Sequence, residues 1–139
     1  MTKRRDLWKA AAALTPLAAA GPLAAAGILP NVTIDASQSR LQKEPFGDLR
    51  IYFEGPTDQL KSMTAGSLLL KAGMTPHVPH RHPEEEFMLV TEGTGEIGME
   101  GKIVKVGPGS MMYCAGGKLH GIVNTGKTPL LFYFYKWQK

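Results

Sequence analysis

Cysteine is nearly missing from this chain: Cys114 stands alone among 139 residues. That excludes a disulfide framework and any zinc finger built on cysteines. Charged residues amount to only 20% and aromatic residues to 8%, against 43% apolar residues, a balance that fits a globular chain and not a disordered one. No internal repeat, low-complexity tract or long charge run follows residue 30, which removes solenoids and polyelectrolyte tails. The length permits one domain with a real core and is too short for two.

What is present begins with an asymmetry. Lys3, Arg4, Arg5 and Lys9 face only Asp6 in the first nine residues. Ala10 to Leu29 then runs for twenty residues with Thr15 as its one polar side chain, and holds ten of the fourteen alanines. A basic start, an apolar run and small residues at its end form the layout of a secretory signal. Arg4-Arg5-Asp6-Leu7-Trp8-Lys9 also resembles the twin-arginine export signal of bacteria, with Lys3 where a serine or threonine is usual. Residues 1–26 are therefore expected to be a signal peptide, cleaved after Ala26 or, as a second option, after Ala20. The alternative is an uncleaved anchor, against which Pro16, Pro22 and the weakly hydrophobic alanines argue. A periplasmic or secreted location follows, with no stable membrane span after cleavage. Without residues 1–26 the formal net charge falls from +4 to +1, so the case for a nucleic-acid partner disappears.

Residues 27–47 show little periodicity and are expected to form an arm. Beyond them, strand-like runs recur at short intervals: Leu49–Glu54, Ser67–Lys71, Glu86–Thr91, Gly95–Met99, Ile103–Val106, Met111–Cys114, Leu119–Asn124 and Leu130–Trp137. Glycine and proline turns separate them, among them Gly55-Pro56, Gly107-Pro108-Gly109 and Gly116-Gly117. This pattern predicts an all-β fold, a small antiparallel barrel or jelly roll over residues 48–139. Thr57–Ala65 is the one helix-compatible stretch. Leu130–Tyr135 lacks polar alternation, so both of its faces should find cover, either from a second subunit in a homodimer or from the arm.

The four histidines carry the chemistry. His80 and His82 fall on the same side of an extended segment, because side chains alternate with period two. Glu86 follows after a turn at Pro83, and His120 starts a later strand. Three imidazoles and a carboxylate would leave a divalent ion open positions, as in a reactive site. Met88 and Val90 share the strand parity of Glu86 and should face the same interior. Tyr113 is expected in the core or against a ligand, Glu84 and Glu85 in a solvated turn, and Cys114 as a buried, inert thiol.

His80-x-His82-x3-Glu86-x6-Gly93 matches the first motif of the cupin superfamily, and Gly109-x5-Ala115-x-Gly117-x2-His120-x3-Asn124 matches the spacing of the second. The chain thus resembles a small single-domain cupin over about residues 48–137. It departs from the pattern at Gly73, one residue further from His80 than usual, and at Ala115, where the pattern has proline. The resemblance implies that His80, His82, Glu86 and His120 hold one divalent transition metal. Iron or manganese is favoured, with zinc, nickel or copper as alternatives. His77 lies outside the motif, as a rim residue or in exchange with His80.

With these four residues committed to a metal, no Ser-His-Asp or Cys-His set remains. Any reaction would have to use the ion, as a redox centre or as a Lewis acid. The expected function is a mononuclear metal-dependent oxidoreductase of the dioxygenase type acting on a small organic molecule, with Glu86 as a candidate catalytic base. The alternatives are a non-catalytic module for a metal-bound ligand or sugar, and a Lewis-acid isomerase or lyase.

Overall fold

The computed structural model of the chain describes residues 27–139; the expected signal peptide and its cleavage sites at Ala20 and Ala26 lie outside the described residues. Nine strands form two antiparallel sheets. They are β1 (Arg40–Glu44), β2 (Gly47–Gly55), β3 (Ser62–Leu70), β4 (Glu85–Glu92), β5 (Gly95–Met99), β6 (Lys102–Val106), β7 (Met111–Cys114), β8 (His120–Val123) and β9 (Leu130–Gln138). The larger sheet runs β1-β2-β3-β9-β4-β7 and the smaller β6-β5-β8. This is the all-β jelly-roll architecture the strand spacing predicts. Among the described residues, no helix is long and apolar enough to cross a membrane.

Period-two alternation builds the interior. Met88 and Val90 on β4, Met112 and Cys114 on β7, Leu68 and Leu70 on β3, and Leu130 and Phe132 on β9 all point inward and are buried. Ile97 and Ile122 answer from the smaller sheet. β9 lies between β3 and β4, so both of its edges are paired, and its inner face packs into the core through Leu130 and Phe132, with Phe134 partly buried. Its other face, with Leu131, Tyr133 and Tyr135, is only partly covered in the single chain.

Turn chemistry sets the connections. Glu100 and Gly101 both take positive φ, 49° and 81°, in the two-residue turn between β5 and β6, the geometry that matches the twist of a hairpin. Gly47 begins β2 so close to the carbonyl of Leu69 that any side chain there would collide with it. The turn before it carries Phe46 into the core.

Two segments depart from expectation. Thr57–Ala65 is not helical: the Thr57 hydroxyl accepts from the backbone N–H groups of Gln59 and Leu60 at 3.2 and 2.9 Å, and β3 starts at Ser62. A threonine satisfying two following amides is a local feature that helix starts and isolated turns share. The arm over 27–47 contains a strand. β1 is polar and lies at the edge of the sheet, so neither face needs apolar residues and no alternation marks it. A short 3-10 turn at Ala36–Gln38 precedes it, capped by Asp35.

Candidate metal centre

Residues 71–84 cross from β3 to β4 without regular structure, yet their path is fixed. Gly73 donates to the carbonyl of Asn124 and Asn124 to that of Met74, both at 2.9 Å. The Thr75 hydroxyl lies 2.8 Å from the carbonyl of Ile122. His80 and His120 then exchange both backbone hydrogen bonds, at 2.9 and 3.0 Å. The irregular segment is thereby laid alongside β8. Asn124 is wholly buried and fully used: its amide donates to Leu70 and Thr128 at 3.0 and 2.8 Å and its oxygen accepts from Gly126 at 3.0 Å.

The turn ahead of β8 holds despite Ala115 in place of proline. Gly117 donates to the carbonyl of His82 at 2.7 Å and adopts φ of 76°. Gly116 packs so closely on Pro83 that a side chain there would meet its carbonyl.

These clamps bring three imidazoles together. One nitrogen from each of His80, His82 and His120 lies within 4.8 Å of the other two. His77 is not in this cluster; it stacks on His80, with ring centroids 3.7 Å apart and planes 19° from parallel. Nδ1 of His82 donates to the Glu84 carbonyl at 3.1 Å and Nδ1 of His120 to the Lys118 carbonyl at 2.9 Å. A carbonyl can only accept, so each Nδ1 carries a proton and each Nε2 faces the cluster. This outer-layer pattern is the one that orients metal-binding histidines. Glu86 enters from β4, and its Oε2 lies 2.9 Å from Nε2 of His82 and 2.8 Å from Nε2 of His120.

Electrostatics divides the group. Burial, reinforced by the neighbouring His77, His120 and His82, lowers the pKa of His80 from 6.5 to about 3, so its lone pair stays free at neutral pH. Burial lowers that of His77 as well. Burial also works against the charged forms of Glu86 and His120, but their mutual hydrogen bond outweighs it. Glu86 is held at about 2 and His120 is raised above 6.5.

A cavity of about 170 Å³ opens beside the cluster. His77, His80, His82, Glu86 and Lys136 form its polar lining, and Phe46, Leu49, Leu68, Met88, Phe132 and Phe134 its apolar lining. A roomier cleft of about 680 Å³ along Ile28–Thr33 has no histidine in its walls.

Residues 67–135 match the family model described as a cupin domain. Over that stretch the chain is similar to a cupin domain. Solved structures share the fold. KdgF from a Halomonas species superposes with a TM-score of 0.65 at 19% identity, covering 79% of this chain and 96% of that one. An RmlC-like cupin from Shewanella frigidimarina gives 0.63 at 15%, covering 76% and 89%. The Cnp3 cupin domain of Schizosaccharomyces pombe gives 0.60 at 17%, covering 78% and 74%. At such identities the likeness shows the fold alone. No curated protein matches the chain. The domain match supports the cupin superfamily, the structural neighbours share its fold, and the three clustered histidines fit a cupin metal site.

Other expectations are adjusted at this point. Met88 lines the cavity, whereas Val90 is buried in the core away from it. Tyr113 is neither core nor cavity: it is 47% exposed on the outer face and donates to Glu85, which also accepts from Trp137 at 3.0 Å. Glu85 is therefore a structural acceptor and not a free member of a solvated turn. The carboxylate of Glu84 lies 3.2 Å from Nδ1 of His82. Cys114 is buried, its thiol pKa raised by that burial, and its sulfur sits 3.4 Å from Nδ1 of His120. Lys136 and Phe46 are among the cavity residues that the motif match does not include; Lys136 shares the parity of Phe132 and Phe134, which is the signal that marks it.

Proposed function

We propose that this cupin binds one divalent transition metal through His80, His82, His120 and Glu86 and acts as a mononuclear metal-dependent oxidoreductase of the dioxygenase type on a small organic molecule. The observation that carries this reading is the convergence of three imidazoles, two of them oriented by backbone carbonyls, beside a largely apolar cavity that His80 and His82 help to line. Nitrogen and oxygen donors of this kind suit iron or manganese, and also zinc, nickel or copper. When bound, such an ion supplies redox or Lewis-acid chemistry.

The residues of the chain do the rest. His80, kept neutral, offers a lone pair with no proton to displace. Glu86 holds the hydrogen bonds to His82 and His120, and on release from them is the carboxylate placed to take a proton from a bound molecule. The apolar lining excludes water from that molecule. Cys114 is no competing nucleophile, because its thiol is buried and its pKa is raised.

A non-catalytic ligand-binding module is the second reading, favoured by the small size of the cavity. Oxygen uptake with iron-loaded protein and a panel of small organic substrates separates the two. Substrate-dependent uptake supports the oxidoreductase; binding without turnover across the panel supports the module. Zinc as the ion bound in the native host would turn the reading towards Lewis-acid or binding roles. Export to the periplasm and a homodimer joined through the partly covered outer face of β9 belong to the same proposal, tested by the location and solution mass of the mature chain.

A further inference from the structure

Among the described residues, Lys136 is the one cationic side chain lining the cavity, and the metal reading leaves it without a role. It stands on the inward face of β9, two residues beyond Phe134, and lines the cavity. Its register partner across the strands is Glu86, and side chains so placed start about 5 Å apart at Cβ. An ion pair between them is the default arrangement. Instead, Oε2 of Glu86 lies 2.9 Å from Nε2 of His82 and 2.8 Å from Nε2 of His120. Among the described residues, no carboxylate lies within ion-pair distance of the Lys136 ammonium.

This placement is costly for a site that takes a cation. An ammonium half-buried near three imidazoles repels both their protonated forms and any metal among them, and its charge disfavours the protonated form of His120. An anion lying between ammonium and metal reverses the sign of that effect. Apart from His77, which stacks on His80, the rest of the wall, with Phe46, Leu49, Leu68, Met88 and Phe134, offers apolar surface for the body of an anion. The volume of about 170 Å³ falls below the range of roughly 300–1,000 Å³ for drug-sized ligands.

Resting on the reading of this cavity as the ligand chamber of a metal-binding cupin, we propose that Lys136 pairs with the carboxylate of the ligand, so that the site selects small organic acids with an apolar body. A Lys136 that merely extends its stem over the aromatic wall and leaves its head in water would give no such selection.

The test is a calorimetric titration of the full chain with benzoate and with its neutral analogue benzamide, with and without manganese, for the unaltered protein, Lys136→Met and Lys136→Arg. The proposal expects benzoate to bind about tenfold or more tightly than benzamide, the gain of one charge-assisted pair. Lys136→Met should bring the ratio near one with benzamide affinity kept, and Lys136→Arg should retain most of the preference. Equal affinities in the unaltered protein, no measurable benzoate binding, or a preference that survives Lys136→Met would overturn it. The last result would mean that the metal alone selects the anion. Manganese uptake in the same samples tests the metal reading by itself. A chain that binds metal but ignores the carboxylate defeats this inference alone; one that selects benzoate through Lys136 without metal defeats the metal reading alone.

Discussion

His80 and His120 are joined through their backbones before their side chains meet: each donates its N–H to the other's carbonyl, at 2.9 and 3.0 Å. Their rings stand 5.1 Å apart, 81° from parallel. Residues 71–84 have no other regular structure, so this bridge, the bonds of Gly73 and Met74 to Asn124 and that of Thr75 to Ile122 position His80 and His82.

Asn124 is the peg of that assembly. Replacing it with alanine removes three hydrogen bonds and leaves the buried carbonyl of Leu70 without the amide. The expected loss is about 2–4 kcal/mol, since a stranded buried polar group costs more than the bond it made. Urea unfolding of Asn124→Ala checks this, and a midpoint equal to that of the unaltered protein would contradict it.

Gly116→Ala should also destabilise, by about 1–3 kcal/mol, because the added methyl group overpacks a tight contact with the Pro83 carbonyl. The shift lies between His82 and His120, so metal affinity should fall with it. Gly107→Ala is the control: its nearest contact to an added Cβ is 3.8 Å and its φ is not positive. That variant should unfold at the unaltered midpoint or above it.

The histidines predict how the metal-free protein responds to acid. His77 and His80 have folded-state pKa values below the ordinary 6.5. As pH drops below that value the unfolded chain takes up protons at both positions and the folded chain does not, so stability falls. The window for His80 reaches down to about 3. His120, raised, opposes the trend with a contribution present below 6.5 and lost as pH rises through its folded value. Glu86, depressed to about 2, contributes stability above its ordinary value of 4.5 that is lost only as pH falls towards 2. His80 is displaced the furthest, to about 3, and sets the sign of the balance. The urea midpoint should therefore be lower at pH 5 than at pH 7.5, and His80→Gln should flatten the difference. An unchanged or higher midpoint at pH 5 would contradict the account.

Much of this was legible in the chain, for reasons that differ by element. The expected runs Gly95–Met99 and Met111–Cys114 coincide with β5 and β7 because glycine turns lie close to their ends, and in β7 alternation marks the inner face. β1 was invisible, since a polar edge strand with both faces near water has no period to detect. Thr57 caps a turn as it would cap a helix, and only the strand that follows decides between them. The clustering of His80, His82 and His120 followed from parity and motif spacing. The outward role of Glu85 did not, because three consecutive glutamates resemble a solvated turn until Tyr113 and Trp137 are seen on either side.

The central claim is that the histidine cluster holds a metal, and metal content by mass spectrometry tests it most directly. Protein purified from its own host, with His82→Ala and His77→Ala variants prepared alongside, should contain one divalent ion per chain. His82→Ala should lose most of it, and His77→Ala, whose ring only stacks on His80, should keep it. An unaltered protein without metal, or a His82→Ala variant that retains a full ion per chain, would contradict the account.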